Sequence, residues 1–264
     1  MAKGRHGETK APVPRFDATS LDKLARQAMR HISTTQNHHI LSRRDSLTDW
    51  LLRHCIPPWS LELDAVQRAL DEHHLSATDI MDYCIPAAAS RMGQMWADDE
   101  LPFTDVTLGT ARLMELSKHL AADWQPRPPR RRNMLNIMVA TPVEEQHLLG
   151  PQLLTNYLRR EGHSVRLMLG ASSMDLESFL RQEACDAVFI SVGSYATLDS
   201  ANRMVAGILN DPSAGPRVIM GGGILTEQQY TTIKTPVQWI TNDISTALAG
   251  LKGSESARDL SLAQ

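Results

Sequence analysis

Glu145, His147 and Gly150 stand as Glu-x-His-x-x-Gly within the stretch MLNIMVATPVEEQHLLGPQL, residues 134–153. An imidazole is a good transition-metal ligand when a carboxylate or carbonyl holds its other ring nitrogen, and Glu145 is near enough in sequence to do this for His147. Gly150 would let the backbone pass close to a large ligand. Taken alone, His147 also reads as an ordinary residue at the start of a helix in an acidic loop. Two further stretches narrow the choice. Ser191-Val-Gly-Ser194 closes one apolar run, and Gly221-Gly222-Gly223 closes another. A hydroxyl and an unobstructed glycine floor on either side of an imidazole suit a broad planar heterocycle. A strand-end Ser can equally be an N-cap and a triple Gly a tight turn, but the combination is more specific than any member.

These residues need elements that bring them to one edge. Met134 to Ala140 is apolar and too short for a helix, so it predicts a buried parallel strand ending in a turn at Thr141-Pro142. A helix is expected over Pro151 to Arg160. Alternation then continues: strand Val165–Leu169, helix Leu176–Cys185, strand Ala187–Val192, helix Ala201–Leu209 and strand Arg217–Met220. After the glycines come a helix from Thr226, a short strand Val237–Ile240 and a helix after Asn242. Five strands alternating with helices predict an α/β fold with a flavodoxin-like, Rossmann-like doubly wound parallel sheet. His147, Ser191, Ser194 and the glycines would then share the carboxyl edge, where such sheets bind ligands.

The chain before residue 125 is different. A helix begins near Leu21, Leu24 and Met29 with Ser20 as N-cap, and another starts at Ser46 and stops at Pro57-Pro58. Leu61 to Leu70 has helical spacing, and Ser76-x-x-Asp79 reads as a capping signal for a helix from Ile80 to Trp96. Pro102 interrupts, and the period resumes from Val106 to Trp124. A small helical bundle is expected. Gln125-Pro-Arg-Pro-Pro-Arg-Arg-Arg132 is a stiff linker. The division is therefore a disordered tail over 1–16, a bundle over 17–125, a Pro/Arg linker over 126–132, the α/β domain over 133–252 and a tail over 253–264.

Composition excludes several classes. A chain of 264 residues fits two domains, and 42% hydrophobic with 22% charged residues is ordinary for a globular protein. A net charge of −3 leaves no basic footprint for nucleic acid. Three cysteines, Cys55, Cys84 and Cys185, form no CxxC and argue for a reducing compartment. No apolar run reaches the ~18 residues of a membrane span, and the polar N-terminus has no signal-peptide core. A cytoplasmic protein is expected.

With these residues in place, Glu145-x-His147-x-x-Gly150, Ser191 and Gly221-Gly222 resemble the DxHxxG…S…GG signature of cobalamin-binding domains, with Glu145 where Asp is usual. The resemblance implies base-off cobalamin, His147 as lower cobalt ligand, Glu145 holding its ring, Ser191 at the dimethylbenzimidazole and the glycines lining its tunnel. Arg91-Met-Gly-Gln-Met-Trp96 resembles the Gly-x-x-Trp segment of the helical cap found above such domains, and it implies Trp96 over the corrin. In photoreceptor caps a Glu-His pair follows the Trp by ten and eleven residues; here those positions are Val106 and Thr107. The wider pattern W-x-x-D-x-x-x-F-x-D-V-T-x-G-x-x-R-L, Trp96 to Leu113, is similar to the AerR/PpaA-type antirepressors of purple photosynthetic bacteria and to the heme-associated domain of the AppA photoreceptor. With the C-terminal signature it covers roughly residues 46 to 250. Family membership implies a non-enzymatic, light- or redox-responsive regulator that acts on a CrtJ/PpsR-type repressor of photosynthesis genes, with Phe103, Asp105 and Arg112 near Trp96 at the cofactor. Two alternatives stay open: a corrinoid methyl carrier of a methyltransferase system, and a heme sensor of the same fold, since His147 can equally ligate iron.

Overall fold

Met138 and Ala140 are buried in one hydrophobic core and Ile137 and Val139 in another, because successive side chains of a strand point to opposite faces. That first strand, β1 (Asn136–Pro142), therefore lies between two layers of helix. The computed structural model describes residues 39–122, 134–210, 215–225, 235–237 and 239–253. The tail expected over 1–16, the helix expected from Leu21, the linker, the helix expected from Thr226 and the residues from 254 lie outside the described residues.

The remaining strands are β2 (Ser164–Ala171), β3 (Ala187–Ser191), β4 (Arg217–Gly221) and β5 (Trp239–Ile240). They pair in the order β2-β1-β3-β4-β5, parallel throughout. This is the flavodoxin-type doubly wound order, whose switch point lies between β1 and β3. Helices α7 (Ser173–Gln182) and α8 (Leu198–Leu209) cover one face; α6 (Leu149–Arg160) and α9 (Ile244–Gly253) cover the other. The expected turn at Thr141-Pro142 is instead the end of β1. Thr141 Oγ1 accepts a hydrogen bond from Gly170 N–H at 2.9 Å, and Pro142 still pairs with Ala171 after a register shift.

Ahead of the sheet lies a helical unit: α1 (described over 39–55), α2 (Leu63–His73), α3 (Ala77–Asp79), a π-helical segment Ile80–Cys84, α4 (Ile85–Ala97) and α5 (Phe103–Ala121). Ser76 and Asp79 form the expected capping box. The single helix expected from Ile80 begins with the π turn, and α5 starts directly after Pro102 rather than at Val106. Leu47, Leu51, Ile85, Met92 and Leu113 are fully buried in this unit's own core.

Helix α6 belongs to both units. Leu149 and Leu153 pack into the helical core, while Leu154, Tyr157 and Leu158 pack on the sheet. Gln152 donates to Met114 O at 2.9 Å and to Ser117 Oγ, and Arg160 pairs with Asp82 at 2.5 Å. Among the described residues no helix is long and apolar enough to cross a membrane.

Candidate functional site

The loop between β1 and α6 is built around the carboxylate of Glu145. Its side chain is 1% exposed, and a buried carboxylate must be hydrogen-bonded to be tolerated. Here it accepts four hydrogen bonds. Oε1 takes His147 N–H at 2.9 Å and the His147 ring at Nδ1, 2.6 Å away. Oε2 takes Gly193 N–H at 2.6 Å and the Thr197 hydroxyl at 2.7 Å. Burial pushes the Glu145 pKa up, but the bonds from Gly193, His147 and Thr197 overcome it and hold the group down at about 2. It is a carboxylate at any ordinary pH.

That fixes the imidazole. An ionised carboxylate only accepts, so the proton lies on Nδ1, and in the neutral ring the lone pair is on Nε2. The His147 side chain is 66% exposed. The ring lies against Gly193, where a Cβ would overlap it, so the glycine is a steric requirement of this placement. The result is an imidazole anchored through Nδ1, with its Nε2 lone pair turned away from the carboxylate.

Beside this loop lies an open cleft of about 530 Å³, lined in part by Gly150, Ser191, Gly221 and Gly222. A Cβ on Gly150 would meet nothing within 4 Å, so the space above it is open. Gly222 has φ +115°, and a Cβ there would run into the Val192 backbone. Asn242 pins the same turn: it accepts from Gly222 N–H at 2.7 Å and donates to Gly222 O at 3.1 Å.

The structure thus brings Glu145, His147, Gly150, Ser191, Gly221 and Gly222 to one edge of the sheet, and the last four of these line the cleft. Ser194 is outside the cleft lining; its backbone carbonyl accepts from Thr197. Gly223 lies under Gly193. On the helical unit, Trp96 and Phe103 form an exposed aromatic pair with ring centroids 6.0 Å apart. At about 100° per residue, Phe103 shares the α5 face of Met114, whose carbonyl is bonded by Gln152 of α6. Arg112 is about 180° round the helix from Phe103 by the same count. Its guanidinium donates to Cys55 O at 2.9 Å and Trp59 O at 2.7 Å, anchoring the segment after α1. Asp105 lies on that same side of α5, so neither accompanies the aromatic pair.

Sequence reasoning passed over Gly193, Thr197 and Asn242. Each follows the carboxyl end of a parallel strand, and that position was the available signal. Among the described residues no group of three or more His, Cys, Asp or Glu could hold a metal ion.

No family model matches the chain. A curated relative is an uncharacterized 20.5 kDa protein in the bchF–crtJ intergenic region of Rhodobacter capsulatus. It is 28% identical over 176 residues, which cover 67% of this chain and 92% of the relative. Among solved structures, the Methanosarcina barkeri monomethylamine corrinoid protein superposes with a TM-score of 0.61 at 10% identity, over 80% of this chain and 98% of that one. At that identity the match is one of fold: a helical unit followed by a Rossmann-like α/β unit.

Proposed function

We propose that this chain binds cobalamin through His147 and acts as a regulator by contact with a CrtJ/PpsR-type repressor. The observation that carries the cofactor is the His147–Glu145 mount. One exposed imidazole has its Nδ1 occupied by a carboxylate that three further donors hold ionised, next to a cleft floored by glycines. The residues fit the group. His147 would supply the lower ligand in the base-off form, Ser191, Gly221 and Gly222 would line the tail's channel, and the exposed Trp96–Phe103 pair would cover the opposite face. When bound, cobalamin supplies a photolabile or exchangeable upper ligand position. Heme is the weaker reading, because a heme has no nucleotide tail to occupy a cleft lined by Ser191, Gly221 and Gly222.

Two things support the regulatory side. The curated relative is encoded between bchF and crtJ, and the helical unit carries the AerR/PpaA-like pattern from Trp96 to Leu113. The reading has the chain work through protein contact rather than turnover. Fluorescence anisotropy of repressor on its operator tests it: cobalamin-loaded protein should weaken operator binding, and His147→Ala protein should not. A coupling of about 1–3 kcal/mol, roughly 5-fold to 150-fold in affinity, is the expected scale. The second reading, a corrinoid methyl carrier, is favoured by the fold match covering 98% of such a protein. It predicts turnover of methylcobalamin with a methyl acceptor and partner enzyme. Methyl transfer with no effect on the repressor would overturn the regulatory reading.

A further inference from the structure

The cleft beside His147 is not walled by the α/β unit alone. Met81, Asp82, Tyr83 and Pro86 line it as well, and they come from the π-helical segment and the start of α4. π turns inside helices occur often at functional sites. This one is held in place through two consecutive residues, Asp82 and Tyr83. Asp82 accepts from Arg160 of α6 at 2.5 Å, with both side chains about four-fifths buried (19% and 22% exposed). The Arg160 guanidinium also lies 5.1 Å from the centroid of Tyr157, another lining residue. Tyr83 is fixed on its other side. Arg44 stacks 3.5 Å over its ring and is itself tied to Asp79 at 2.6 Å. One face of the Tyr83 ring is thus occupied, and the residue as a whole remains 51% exposed. What it offers the cleft is its other face or its edge.

Resting on the cobalamin reading, we propose that Tyr83 is a specificity residue: the helical unit reads the heterocyclic base of the corrinoid's nucleotide tail through the Met81–Tyr83 wall. Of the α/β lining, Ser191, Gly221 and Gly222 are small and give that tail room. Phe189 is buried in the sheet's core and the Tyr157 ring lies beside Arg160, which leaves Tyr83 as the exposed aromatic of the wall. An aromatic ring mounted rigidly across the cleft distinguishes one base from another, because stacking depends on the area and shape of the base. The Asp82–Arg160 pair acts as the positioning contact that sets the wall's distance from α6.

The test compares three corrinoids on full-length protein by absorbance titration: cobalamin, a corrinoid with adenine in place of dimethylbenzimidazole, and cobinamide, which has no nucleotide tail. Tyr83→Ala should weaken cobalamin by about fivefold or more, the low end for one base stacked on an aromatic ring, and leave cobinamide unchanged. Tyr83→Phe should keep the wild-type order of the three, and Asp82→Asn should reduce the difference between the two bases. Melting of the ligand-free variants checks that each is folded. Equal losses for cobalamin and cobinamide, or no loss for either, would overturn the inference while leaving the cobalamin reading intact. Failure of the wild-type protein to bind any of the three would remove both.

Discussion

Glu145 Oε1 receives two hydrogen bonds from the same residue, the backbone N–H of His147 at 2.9 Å and its ring Nδ1 at 2.6 Å. One oxygen therefore fixes both where the loop goes and which way the imidazole faces. The second oxygen ties that loop to the one after β3 through Gly193 and Thr197.

Removing the proposed ligand, His147, should cost more than removing the carboxylate that holds it. His147→Ala is expected to abolish the change in the visible spectrum on titrating hydroxocobalamin in the dark. Glu145→Ala should weaken binding about 10-fold to 100-fold, the usual effect of losing a partner to a ligating histidine. Glu145→Asp restores the commoner residue of the signature, yet a carboxylate one methylene shorter cannot reach Gly193, Thr197 and the ring together. Its affinity should fall between wild type and Glu145→Ala, and wild-type affinity would contradict this account of the loop.

The same carboxylate makes stability depend on acid. Its folded pKa, about 2, lies below the ordinary 4.5. A depressed pKa means that the unfolded chain takes up the proton more readily, so the contribution is full above about 4.5 and lost as pH falls through the folded value. Thermal melting of wild type against Glu145→Gln should show a difference at neutral pH that shrinks between pH 4.5 and 2.

Two glycines should respond differently to alanine. At Gly222 the backbone itself blocks a Cβ and φ is +115°, so Gly222→Ala should lower stability by roughly 1–3 kcal/mol in chemical denaturation. At Gly193 the obstruction is the His147 side chain from its Cβ outward. Gly193→Ala should push that side chain off Glu145, lowering stability through the lost bond rather than through backbone strain, and weaken cobalamin binding.

Arg112 and Trp96 separate a structural role from a binding role on the helical unit. Arg112→Ala loses two charge-assisted bonds to Cys55 O and Trp59 O, which contribute about 1.5–3 kcal/mol in comparable cases, and should destabilise without altering cobalamin affinity. Trp96→Ala should leave stability nearly unchanged, because the indole is half exposed. It should also narrow the expected preference for hydroxocobalamin over adenosylcobalamin, which the absence of a histidine at Thr107 motivates. Equal affinities in the wild-type protein would remove the basis for this.

The parallel sheet between two helix layers, and the edge that gathers the candidate residues, were legible in the sequence alone. Apolar runs such as Met134–Ala140 bury both faces only in a parallel sheet between helices, and that arrangement sends Glu145, His147, Ser191 and Gly221 to one edge. Local spacing also located the Ser76–Asp79 cap, because a capping box is satisfied within four residues. Tertiary structure decided what no local pattern contains. Thr197 and Gly193 complete Glu145 from 52 and 48 residues away, and such partners are chosen by which loops meet in space. Arg112 belongs to a sequence pattern shared with Trp96 and Phe103, yet helical geometry turns it to the opposite side of α5, where two carbonyls take it. The wall of the cleft from Met81 to Tyr83 is likewise set only when α6 packs against both units, since Arg160 and Asp82 are 78 residues apart in the chain.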